Sequence, residues 1–164
     1  MGVGKSTIGR RLAKRLGLPF VDSDTAIEDA AGGASAAEVF ERFGEDDFRD
    51  GERRLVARLI EGDVRVIATG GGAYVDPSTR KLLNERAITI WLDAPVAVLA
   101  ERTGRRDTRP QLRGGDRAAT LQRLAEERQQ SYAEAHIHIA SGGGGGHGDV
   151  VDAILAKLDQ WLSR

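Results

Sequence analysis

Residues Gly2 to Thr7 read Gly-Val-Gly-Lys-Ser-Thr, and the next stretch is periodic at helical spacing: Ile8, Leu12 and Leu16 share a face, Ala13 fits it, and Gly17 with Pro19 ends the run. A glycine-rich turn that opens directly into a helix constrains the backbone tightly. It aims main-chain N–H groups and the positive end of the helix at one spot, which suits a phosphate. Lys5 adds a point charge there, and the Ser6 hydroxyl is a ligand for Mg²⁺. This is the back half of the pattern Gly-x-x-x-x-Gly-Lys-Ser/Thr. Its opening glycine falls two residues before Met1, so that glycine and the strand feeding the loop are expected to lie upstream of Met1.

Beyond the loop, apolar β-branched runs alternate with amphipathic stretches, the pattern of an α/β protein with a parallel sheet and helices on both faces. Strands are expected at Pro19–Val21, Val64–Ala68, Ala87–Leu92 and Ile137–Ala140. Helices are expected near Thr25–Ala31, Ala36–Phe43, Asp46–Glu61, Pro77–Asn84, Pro95–Arg102, Ala118–Glu134 and Val150–Trp161. A length of 164 residues fits a single domain, 1–164. Residues 104–116, rich in Gly, Arg and Asp, have the length and composition of a lid loop. The glycine run at 142–146 is either a solvent loop or a place of close backbone approach.

Composition excludes several classes. Without cysteine there is no disulfide framework and no thiolate metal site. A net charge of −1 offers no broad basic surface for nucleic acid. With no apolar run of membrane-spanning length and no signal-peptide layout, the chain is expected to be cytoplasmic, without a membrane partner, and monomeric. Arginine supplies 20 of the 24 basic residues, which favours solvated helix faces or planar, bidentate grip on phosphates and carboxylates.

Asp22 and Asp24 end the first short strand, where open α/β sheets bind their ligands. Asp24 is placed to cap the next helix, yet two carboxylates exceed what capping needs. The following strand, Val64 to Ala68, runs into Thr69-Gly70-Gly71-Gly72-Ala73 with no acid. The carboxylate supporting Mg²⁺ must then come from elsewhere, and Asp22 is the best placed, leaving Asp24 to accept or orient a hydroxyl proton. Three glycines at a strand end make a tight turn, and they also remove every side chain between a small substrate and the backbone N–H groups. Glu52 and Arg53 read most simply as a solvated or salt-bridged helix face, Trp91 and Trp161 as packing residues, and His136 and His138 as having no catalytic role.

Gly-Val-Gly-Lys-Ser-Thr, Asp22-x-Asp24, Phe48-Arg49-x-x-Glu52, Gly70-Gly71-Gly72-Ala73, Arg102 through Arg109-Pro110, and Arg128 with Tyr132 occur in the order and approximate spacing of shikimate kinases, and the chain resembles that family over nearly its whole length. The resemblance implies a three-layer P-loop kinase fold whose first central strand is missing from this chain, with a substrate-binding helical region at about 24–61. It implies transfer of the γ-phosphoryl of MgATP to the 3-hydroxyl of shikimate, a step toward chorismate and the aromatic amino acids. ATP would be bound by Gly2, Val3, Gly4, Lys5, Ser6, Thr7, Arg102 and Arg109, with Lys5, Asp24 and Arg109 catalytic. Shikimate would meet Asp24, Arg49, Gly70, Gly71, Gly72 and Arg128, and Mg²⁺ would meet Ser6 and, through water, Asp22. Two other readings stand beside this one. One is another P-loop small-molecule kinase of gluconate type, and the other is a non-catalytic nucleotide-binding module.

Overall fold

The structure, a computed structural model, describes residues 2–104, 116–142 and 145–164, without the side chains of 102–104 and 117. Nearly all of the expected lid, Arg109 and the Arg102 side chain lie outside the described residues. The elements run α1 (Lys5–Leu16), β1 (Phe20–Asp22), α2 (Ser23–Ala30), α3 (Ala36–Glu61), β2 (Val66–Ala68), α4 (Pro77–Arg86), β3 (Ile90–Asp93), α5 (Val96–Gly104), α6 (Arg117–Tyr132), β4 (Ile137–Ala140) and α7 (His147–Leu162).

The expected strands all form, but β2 and β3 start late. Arg65 turns its guanidinium back onto the Asp63 carbonyl at 2.8 Å, so the chain pairs only from Val66. At β3, the Ala87 N–H is still donated to Leu83 at the end of α4, which delays extension to Ile90. The expected break between two helices occurs at Gly44, whose φ of 82° and ψ of 173° interrupt α3. Asp22, not Asp24, caps α2: its carboxylate accepts the Asp24 N–H at 3.0 Å, because the helix starts two residues before the expected Thr25.

β1 pairs in parallel with β2, Phe20 opposite Val66, and β3 pairs in parallel with β4, Ile90 opposite Ile137. Ile137 and Ile139 face Ile8 and Leu12 of α1 and Val150, Val151 and Ile154 of α7, forming the main apolar core. On the opposite face Trp91 stacks on His138 at 4.1 Å between ring centres and meets Tyr132 of α6 at 6.0 Å. His138 thus packs, and His136 accepts the Thr89 N–H at 3.1 Å.

Among the described residues the two pairs do not join: β2 has only β1 as a neighbour there and β3 only β4. Between them lies a cavity of about 1240 Å³. Leu16, expected on the buried face of α1, lines this cavity and is exposed instead. A buried N–H or C=O left unpaired along such an edge costs about 1–3 kcal/mol.

Candidate functional site

The carboxyl ends of β1 and β2 meet the amino end of α1. Gly4 takes a φ of 92° to turn the loop into the helix, and among the described residues no side chain caps that end. The first-turn N–H groups therefore face outward toward any anion bound there. Ser6 donates its hydroxyl to Asp22 Oδ2, which brings two hard oxygen groups from separate elements side by side. Asp22 does double duty, since its other oxygen caps α2.

The turn after β2 is where the charged groups converge. A methyl group placed on Gly70 would sit 2.9 Å from Asp24 Oδ1 and 2.8 Å from Glu52 Oε1. On Gly71 it would meet the Arg128 guanidinium at 2.9 Å, and on Gly72 the Arg49 guanidinium at 2.5 Å. Three successive glycines thus face four charged side chains, Asp24 from α2, Glu52 and Arg49 from α3 and Arg128 from α6. Any side chain on the turn would displace the group opposite it, so the requirement is close approach and not backbone strain.

Each charged group is held by a neighbour. Arg49 donates to Glu52 at 2.6 Å, and Glu52 is only 3% exposed. Burial raises the Glu52 carboxyl above its ordinary value, against the hydrogen bond and charge of Arg49, with Asp24 and Asp76 adding to the rise. Of the two readings of this helix face, solvated or salt-bridged, Glu52 takes the second: it is paired with Arg49 and buried beneath the glycine turn. Tyr132 donates to the Gly71 carbonyl at 2.6 Å, and burial pushes its phenol upward while Arg128 opposes that shift.

Of the residues expected at the site, Gly2, Val3, Gly4, Lys5, Ser6 and Thr7 form the loop and first turn of α1. Lys5 lines the same cavity as Thr69, Gly70, Gly71 and Arg128. Asp22, Asp24, Arg49, Gly70, Gly71, Gly72 and Arg128 gather around them. Ser23 was not anticipated. It is fully buried, and its hydroxyl accepts the Gly70 N–H at 3.0 Å, anchoring the turn to α2. The only hint in the sequence is a small hydroxyl residue lodged between two acids. His147, which sits against Gly4 with its imidazole 3.3 Å from where a Cβ would lie, had no local signal.

The arrangement is a glycine turn opening into a helix N-terminus with a hydroxyl–carboxylate pair, beside a turn faced by two guanidinium groups and two carboxylates. It can hold a phosphate chain and, next to it, a small acid bearing a hydroxyl. Among known proteins, the shikimate kinase family profile matches residues 1–159. A shikimate kinase of Caulobacter vibrioides is 52% identical over 160 residues, covering 98% of this chain and 79% of the relative. One from Zymomonas mobilis is 51% identical over 158 residues, covering 96% of this chain and 89% of the relative. The crystal structure of shikimate kinase from Acinetobacter baumannii in complex with shikimate superposes with a TM-score of 0.92 at 37% identity, covering 98% of this chain and 89% of the other. The chain belongs to the shikimate kinase family of ATP-dependent phosphotransferases.

Proposed function

We propose that the site around Gly70–Gly72 binds shikimate and that the α1 cradle binds ATP, so that the γ-phosphoryl passes to the 3-hydroxyl of shikimate. The observation that carries this reading is the glycine turn whose three missing side chains make room for Asp24, Arg128 and Arg49. Arg49 and Arg128 form a fork for the substrate carboxylate, and their origin on separate helices fixes its orientation. Gly70, Gly71 and Gly72 let the acceptor approach the backbone. Asp24, across from Gly70, takes the hydroxyl proton as the 3-oxygen attacks the γ-phosphorus; the bond to the β,γ-bridging oxygen breaks and ADP leaves.

The N–H groups at Gly2, Val3, Gly4, Lys5, Ser6 and Thr7 hold the phosphates, and Lys5 neutralises charge that spreads over the γ-phosphoryl oxygens. Arg109 is assigned to the phosphates and Arg102 to the adenine. The Ser6 hydroxyl beside the Asp22 carboxylate is a hard-oxygen pair of the kind Mg²⁺ prefers while it keeps several waters. When bound with ATP, the ion supplies further neutralisation of the transferring group.

The fold assigned to the whole chain, 1–164, is a three-layer P-loop kinase domain. Its parallel sheet has the two strand pairs on either side of a central strand position that none of the described residues fills. Gluconate is a weaker acceptor in this reading, because the two-arginine fork and the close glycine turn suit a rigid ring better than an open chain. The test is ADP release with Mg²⁺ and ATP over a panel of shikimate, gluconate and AMP. Shikimate is the expected acceptor. Faster turnover of gluconate would overturn the substrate, and nucleotide binding without turnover of any acceptor would overturn the enzyme.

A further inference from the structure

We propose that Tyr132 is a positioning residue for the acceptor site, a role that rests on the glycine turn being the place where shikimate binds. Its hydroxyl holds the Gly71–Gly72 peptide and the Arg128 guanidinium in the orientation that grips the acceptor, without touching the reacting atoms.

The turn is held unevenly. The Gly70 N–H is donated to the Ser23 hydroxyl, and the Gly70 and Gly72 carbonyls accept from Ala73 and Val75 within the turn itself, at 3.2 and 3.0 Å. The Gly71 carbonyl is held from outside: Tyr132, the last residue of α6, donates its hydroxyl to it at 2.6 Å. That carbonyl and the Gly72 N–H belong to one planar trans peptide, so they point in opposite directions. Fixing the carbonyl on Tyr132 therefore aims the Gly72 N–H away from the phenol. Among the described residues that N–H has no partner, which leaves it to a ligand.

The same oxygen serves Arg128. The two residues lie one turn apart on α6 and share a face. A Cβ on Gly71 would lie 2.9 Å from Arg128 Nη1 and 3.6 Å from the Tyr132 hydroxyl, so both groups converge on one spot. The charge and hydrogen bond of the guanidinium favour the ionised phenol against burial, as expected of an oxygen that accepts from the cation while its proton goes to Gly71. One hydroxyl thus fixes the spacing between an arm of the carboxylate fork and the turn beside it.

The purely structural duties fall to other groups. The Tyr132 ring packs against Tyr74 and Trp91, at 6.2 and 6.0 Å between centres. The end of α6 is tied down separately: Glu134 pairs with Arg80 at 3.0 Å, and Arg80 donates to the Tyr74 and Val75 carbonyls at 3.2 and 2.9 Å. Loss of the hydroxyl should disturb the site and leave the helix docked.

The test is Tyr132→Phe, which keeps the ring, beside Tyr74→Phe, which removes a neighbouring hydroxyl whose partner is Asn84 and not the turn. Steady-state kinetics with Mg²⁺, ATP and shikimate are paired with calorimetry of shikimate binding. Tyr132→Phe should raise the KM and Kd for shikimate about tenfold, with kcat and the KM for ATP near those of the unaltered protein. Tyr74→Phe should leave the shikimate KM in place. Unchanged shikimate affinity in Tyr132→Phe would overturn the proposal. So would an equal rise in Tyr74→Phe, or a loss of kcat and ATP affinity alongside that for shikimate, since either would make the hydroxyl a general support of the fold. Amide NMR of the unaltered protein tests the same point independently of how the variants fold. Shikimate should shift the Gly72 amide far more than that of Gly70, which Ser23 already holds, and an unresponsive Gly72 amide would overturn the proposal too. Failure of the unaltered protein to bind shikimate would sink the substrate reading as well, whereas binding that Tyr132→Phe leaves intact would sink only the role of Tyr132.

Discussion

The β1–β2 pair ends in polar groups that hold one another, whereas the β3–β4 pair turns one face, Ile137 and Ile139, into a wholly aliphatic core. Around the first, Ser23 and Glu52 are buried with partners in Gly70 and Arg49. Around the second, Ile137, Ile139, Val150, Val151 and Ile154 interlock with α1, and the strand alternates between buried and exposed residues. The apolar half is a scaffold that tolerates changes of shape in proportion to volume. The polar half is a set of mutually dependent groups, where loss of one strands another. Chemistry belongs to the second kind of interior, because groups must be fixed in direction as well as buried.

The sharpest way to break this contrast is Asp24→Asn. Replacing the assigned proton acceptor should lower kcat by about 10²–10⁴-fold, with ATP affinity by calorimetry changed little. Equal loss of both would move Asp24 from the acceptor side to the metal or to the framework, and the polar half would be structural instead of chemical.

Arg49→Ala tests mutual dependence. Glu52 would stay buried without its partner, which should destabilise the protein by about 3–5 kcal/mol in urea unfolding and raise the shikimate KM. Arg49→Met with Glu52→Met should regain most of the stability, because both charges leave together, and none of the affinity. If the double variant regained affinity too, Arg49 would be a packing residue and not part of the carboxylate fork.

The two halves also differ in how well they can be read in advance. Ile137-His-Ile-Ala and Ile8, Leu12 declare their buried faces by period alone, since burial against a neighbouring layer needs only apolar side chains at the right spacing. The glycine triplet and Arg49 announce a site by residue type and order. Glu52 is announced with Arg49 by their shared motif, though its burial is not; Ser23 looks like an ordinary surface residue, and its burial depends on α2 and the turn after β2 arriving at the same place. Asp24 could be expected to cap α2 because capping is local, yet the helix began earlier and Asp22 took that position. The cavity between the pairs lies where the resemblance led to the expectation of a missing central strand.

Smaller substitutions sharpen the same comparison. Ser23→Ala leaves the Gly70 N–H unpaired in a buried site and should cost about 1–3 kcal/mol, with a raised shikimate KM as the glycine turn loosens. Ile154→Val, at a position equally buried in the apolar half, should cost about 0.5–1.5 kcal/mol and leave KM unchanged. A KM effect from Ile154→Val as large as that from Ser23→Ala would mean the halves are mechanically coupled and the division between them is false.

The smallest effect is on pH dependence, and its sign is decided by Glu52. Burial outweighs the pairing with Arg49 and raises its carboxyl above the ordinary 4.5. The folded state therefore binds more protons than the unfolded chain from pH 4.5 upward to the raised value. The stability this group contributes is complete below that window and is lost as pH rises through the folded pKa, with a slope of at most about 1.4 kcal/mol per pH unit. Urea unfolding of the ligand-free protein across the window, compared with Glu52→Gln, should show that slope in the parent and its disappearance in the variant. Among the described residues the aliphatic core of the other half holds no ionisable group of this kind, so Ile154→Val should lower the whole curve without changing its shape. If stability instead rose with pH in the parent alone, attraction to Arg49 would exceed the penalty of burial. The polar half would then be held together by its charges and not in spite of their burial.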